Sequence, residues 1–163
     1  MPEPFYSHDE IRKRMATIHA ASLEGPYSFW NAPLDAVRAS SNGIGPDRWP
    51  EPIRKVVTGF LETFAEAAVV HDWEFSSSEN DGTLERWHEA NARFEVNCRK
   101  LIRHKISALR LLRRLRAHGV VNLLMDVLES HKGRQAWEDA FQRLQPVQEA
   151  QTPTARKNTW RSR

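Results

Sequence analysis

A chain of 163 residues, with 40 % hydrophobic and 28 % charged side chains and a net charge of +3, has the length of one domain with its own core. No apolar run approaches the roughly 20 residues that span a bilayer. Met1–Phe5 lacks the basic-then-apolar pattern of a secretion signal, and Cys98 is the sole cysteine, so the expectation is a cytoplasmic protein held by packing without an internal disulfide.

The charge is unevenly placed. In residues 145–163 Glu149 stands against Arg156, Lys157, Arg161 and Arg163, so this polar tail carries the whole net charge and reads as frayed. Residues 99–118 are strongly basic, whereas Glu79–Glu89 leans acidic.

Residues 8–23 read as a first helix. Ser7 caps it, Glu10 stands in capping-box position, and Ile11, Met15 and Ile18 form an apolar stripe that Gly25-Pro26 ends. Residues 25–50, with Pro33, Gly43, Gly45, Pro46 and Pro50, read as a long irregular segment of the functional kind. Tyr27, Phe29, Trp30 and Trp49 favour an ordered, packed loop there. Pro52 suits the first turn of a helix, with Ile53, Val56, Val57 and Phe60 at helical spacing and Gly59 as a break. Residues 63–75 form the next helix, with Phe64, Ala67, Ala68 and His71 along one side, and Ser76–Gly82 is a polar turn. From the N-cap Thr83 a long helical pattern runs to about His118, where Gly119 ends it. Its inward positions are Trp87, Ala90, Phe94, Leu101, Ile102, Ile106, Leu109, Leu112 and Leu115. Val120–Ser130 is another helix, and after Gly133 the residues Trp137, Phe141 and Leu144 mark a last amphipathic piece. No strand-like alternation or internal repeat occurs, so the expected fold class is all-α.

The chemistry concentrates where His71 and Asp72 end an apolar helical run. Adjacent helical residues point about 100° apart, so the two serve different targets. Hydrolysis of an ester by water needs a base, and His71 is the natural one near neutral pH. It also needs an electrophile for the developing oxyanion. Asp72 offers one carboxylate, too little alone for Ca²⁺, which takes six to eight oxygens; carbonyls of the tight turn Asn42-Gly43-Ile44-Gly45-Pro46 can supply more. A third group must orient the imidazole from the next helix, and Asn91 is placed for that.

The order Gly43-x-Gly45-Pro46, then His71-Asp72-x-x-Phe75, then Ala90-x-x-x-Phe94 with Asn97 following, resembles phospholipase A2-like domains, particularly the disulfide-free type of parvovirus capsid proteins. It is closer still to small phage and prophage proteins with Asn-Gly-x-Gly, His-Asp-Trp-x-Tyr and Ala-Asp-x-x-Phe-Leu-x-Asn, which often continue into a basic helix and an aromatic one. The resemblance covers roughly residues 38–141. It implies an antiparallel helix pair with an N-terminal helix, a glycine loop and a C-terminal helical extension. It implies His71 as general base and Asp72, with carbonyls near Gly43 and Gly45, as the holder of a Ca²⁺ acting as Lewis acid. Two positions depart from the pattern: Asn91 replaces the aspartate that orients the histidine, and Phe75 replaces a tyrosine. An asparagine cannot stabilise an imidazolium, and in the serine-protease template the equivalent change costs roughly 10⁴ in rate.

Arg99, Arg103, Arg110 and Arg114 would share one face of the long basic helix, able to meet nucleic-acid phosphates or anionic lipid, or else merely to be solvated. Cys98 reads as a small core residue, and no zinc pattern, nucleophile elbow or phosphate loop is present. The expected organisation is one domain over 1–144, with the phospholipase A2-like part at about 38–104 and the helical extension at about 105–144, followed by the tail. The expected function is a phage or prophage protein, in the host cytoplasm or the virion, hydrolysing phospholipid esters with Ca²⁺ through a degraded network. The alternative is an inactive scaffold that binds phage proteins or nucleic acid. A phospholipid surface is a further expected partner, and the oligomeric state stays open.

Overall fold

The computed structural model describes residues 6–41 and 61–151, the side chains of the second stretch from 62 to 145. The glycine loop Asn42–Pro46, Trp49, the helix expected after Pro52 and the basic tail beyond 151 lie outside the described residues. Those described form seven α-helices and no strand, as the absence of period-two alternation anticipates.

Helix α1 (His8–Ala20) starts with the capping box read from the sequence: the Ser7 side chain accepts from the Glu10 amide and the Glu10 carboxylate accepts from the Ser7 amide. It stops earlier than Gly25-Pro26. Ser22 adopts φ 50°, letting its amide reach the His19 carbonyl and the Leu23 amide reach that of Ile18, a Schellman closure with a serine where glycine is usual. The segment expected to be irregular contains two short helices, α2 (Tyr27–Trp30) and α3 (Leu34–Ser40). Phe29 and Val37 from these are buried in the main core, whereas Tyr27 is exposed.

Helices α4 (Leu61–Ser76) and α5 (Leu84–Lys105) form the centre of the molecule. Lys105 at the end of α5 binds Glu66 and the Glu62 carbonyl near the start of α4, while Glu74 near the end of α4 binds Arg93, so the two run antiparallel. The turn between them is organised by buried Asn80, whose amide donates to the Phe75 and Trp137 carbonyls and whose oxygen accepts from the Gly82 amide. Gly82 sits at φ 76°, with the Phe141 ring 2.5 Å from where a Cβ would be. Thr83 caps α5 as expected. Asn97 binds the backbone of Glu24 twice, at 2.7 Å each way, so this residue of the sequence pattern clamps the chain leaving α1.

The long helix expected from Thr83 to His118 is two helices. Ile106 leaves the helical conformation, the Arg110 amide closes a turn onto the Ser107 carbonyl, and α6 (Leu111–Leu128) begins. Arg114 closes the end of α5 by donating to the Ile106 and Arg103 carbonyls, which a helix end otherwise leaves without partners. Gly119 does not end a helix; it lies inside α6 with open space around it. The last helix, α7 (His131–Gln151), starts ahead of Gly133. It sets Trp137 beside Trp87, Ala90 and Phe75 in a second small core. Cys98 is buried and its thiol is pushed up by burial, which fits an unreactive core position.

Candidate functional site

The α4–α5 register brings His71 and Asn91 together across the pair. The His71 Nε2 lies 3.1 Å from the Asn91 Oδ1. An amide oxygen can only accept, so the ring nitrogen donates, which leaves Nδ1 as the basic atom of a neutral imidazole. Phe75, one turn along α4, and Phe94 on α5 cover the ring, with centroids 4.6 and 5.0 Å away. Trp137 stands edge-on behind Phe75. Enclosed in this way, His71 has its pKa lowered to about 4 by burial, which outweighs the opposing Asn91 hydrogen bond. Asn91 is itself fully buried, and its Nδ2 has no hydrogen-bond partner among the described residues. An aspartate here would present only acceptors and would hold a positive ring; the asparagine holds a neutral one and leaves a donor over.

Asp72, next in sequence, is half-buried. Its carboxylate adds to the burial that raises the Tyr6 phenol, so its charge reaches the entry to α1. The carbonyls expected to share a cation with it, near Gly43 and Gly45, lie outside the described residues. Among the described residues no three His, Cys, Asp or Glu side chains gather as a cation site, and one carboxylate falls short of the Ca²⁺ requirement.

A buried carboxylate that the sequence reading passed over lies one turn from the histidine. Glu74 pairs with Arg93, yet burial outweighs that guanidinium and raises its pKa to about 7. Its second oxygen, Oε2, is buried without a hydrogen-bond partner among the described residues. Glu66, also buried, is held by Lys105 and Arg14. The signal for both was spacing: Glu66 and Glu74 stand four residues either side of Val70, which is buried with Val69 on that side of α4, where a solvated acid would not stand.

The four arginines expected on one face are separated. Arg99 is drawn into the α5–α6 contact by Glu95, the His118 Nδ1 and the Asn122 oxygen. Arg114 is held by the two carbonyls that end α5. Arg103 is exposed on α5, beside a shallow hollow of about 390 Å³ lined with Ala20, Ala21, Lys100 and His104. Arg110 is exposed at the start of α6. The break at Ile106 removes the continuous basic stripe.

Comparison with protein-family models, curated proteins and solved structures found no match to this chain.

Proposed function

We propose that the chain is a phospholipase A2-like helix pair of the disulfide-free phage type that works as a non-hydrolytic scaffold. The observation carrying this reading is the His71–Asn91 contact: the family's two helices would meet there through a histidine and an aspartate, and here they meet through a neutral imidazole and an amide. A general base works best with a pKa near the operating pH. With a pKa of about 4, the His71 ring holds a proton weakly, and the amide oxygen of Asn91 favours the charged form too little to offset burial. Among the described residues Phe75 and Phe94 cover it, which restricts the approach of attacking water. The pair acts as a clasp between α4 and α5. The sequence pattern around Gly43, His71 and Ala90–Asn97 supports the family and phage origin.

One feature favours residual hydrolysis as a second reading: Nε2 donates to Asn91, which leaves Nδ1 as the atom able to take a proton. Fatty-acid release from phospholipid vesicles in Ca²⁺ separates the two. The scaffold reading expects no release from the full chain. Release that vanishes in His71→Ala would establish the hydrolase instead.

A further inference from the structure

We propose that the loop and first turns of α6, Leu109 to Arg116, are a docking surface for anionic phospholipid membrane. Leu109, Leu112 and Leu115, which periodicity assigns to the core, are on the outside together with Leu111: Leu109 is 96 % exposed, Leu111 62 %, Leu112 72 % and Leu115 58 %. At about 100° per residue, Leu111, Leu112 and Leu115 centre on a direction about 160° around the helix from Ala117, Val121 and Leu124, which face the core. This end of α6 therefore has an apolar face on each side, and only one meets the protein. Contiguous exposed apolar surface on a soluble fold marks a contact site.

The charge around the leucines selects the occupant. Arg110, Arg113 and Arg116 alternate with them along the chain and are exposed; on the helix Arg116 flanks the leucine face about 90° from its centre and Arg113 stands about 150° from it, and no acid occurs from Val96 to Met125. The first acid along α6 is Asp126, about 16 Å beyond Leu115. A second copy of the chain meeting it through the same surface would set arginines against arginines. A nucleic acid would satisfy the arginines and leave four leucines in water. An anionic bilayer takes both: headgroup phosphates receive guanidinium groups, and the acyl boundary receives the leucines. Arg99 and Arg114, turned to Glu95 and to the end of α5, are not part of this surface. The surface does not depend on whether His71 is catalytic.

The test is co-sedimentation of the full chain with vesicles of phosphatidylglycerol and phosphatidylcholine in roughly equal parts, alongside phosphatidylcholine alone. Binding to the mixed vesicles and not to the neutral ones is expected. Leu112→Ser and Leu115→Ser should each weaken it on the order of tenfold. Arg113→Gln with Arg116→Gln, which leaves the leucines in place, should weaken it by at least about tenfold. Circular dichroism checks that each variant keeps its helices. Unchanged vesicle binding by the folded leucine variants overturns the proposal. So does duplex DNA binding that the leucine variants retain while vesicles are ignored, and so does a dimer in sedimentation equilibrium that Leu112→Ser dissociates.

Discussion

His71 donates its Nε2 proton to the side-chain oxygen of Asn91, 3.1 Å away on the antiparallel helix. That one bond sets the electrical state of the histidine. An aspartate at position 91 would place a full negative charge against the ring at a buried position, whereas the amide offers a dipole.

Asn91→Asp should therefore raise the His71 pKa from about 4 by at least about two units. It also removes the buried amide donor that has no partner. The chain should still release no fatty acid, because Phe75 and Phe94 continue to cover the ring. A variant in which His71 titrates as before would mean that Asn91 does not control it.

Stability should respond to pH through two opposed groups. His71 is depressed from 6.5 to about 4, so its contribution is complete above 6.5 and is lost as pH falls through 4. Glu74 is raised from 4.5 to about 7, so its contribution is complete below 4.5 and is lost as pH rises through 7. Between these limits the slopes oppose one another. Urea denaturation of Glu74→Gln should show stability climbing from pH 4 to 6.5 by on the order of 2 kcal/mol. His71→Gln should show it declining from pH 4.5 to 7. Parallel pH profiles for the two variants would contradict the assignment of either shift.

Asn97→Ala should cost about 3 kcal/mol, since it leaves both the amide and the carbonyl of Glu24 without their partner in a partly buried site. A loss below about 1 kcal/mol in chemical denaturation would show that water replaces the clamp. The α4–α5 hairpin itself should survive, because the polar links that join it, His71–Asn91, Glu74–Arg93 and Lys105 with Glu66 and Glu62, do not involve Asn97.

Gly82→Ala meets two obstacles: a left-handed φ of 76° and the Phe141 ring. The expected loss is about 2 kcal/mol or more. Adding Phe141→Ala should recover the steric part and leave roughly 1 kcal/mol of backbone strain. Additive losses in the double variant would show that the ring is not what the glycine accommodates.

What could be read in the sequence was local or carried by register. Ser7 with Glu10, and Thr83, are caps whose partners lie three residues away, so their signals need no tertiary knowledge. His71 and Asn91 are separated by one short turn, which makes their meeting a matter of counting. The misreadings arise where tertiary contacts decide. Leu109, Leu112 and Leu115 continue the apolar spacing of α5, and spacing alone does not say which side of a helix meets protein. Ser107 and the distant Arg114 interrupt the pattern by giving the backbone other partners. Glu74 was passed over because an acid is normally solvated, and here Arg93 and the packing of α4 against α5 hold it inside. Ser22, at φ 50°, supplies the stop expected at Gly25-Pro26, and Leu23 after it is buried in the main core. The cation cradle expected near Gly43 and Gly45 falls outside the described residues.

On this reading His71 is a neutral clasp and not a proton acceptor at working pH. The most direct test is an NMR titration of the His71 ring with nitrogen-15 shifts to identify its protonated atom. A midpoint near 4 is expected, with the proton on Nε2 throughout the neutral range. A midpoint at or above 6.5, or a neutral ring protonated on Nδ1, would contradict it.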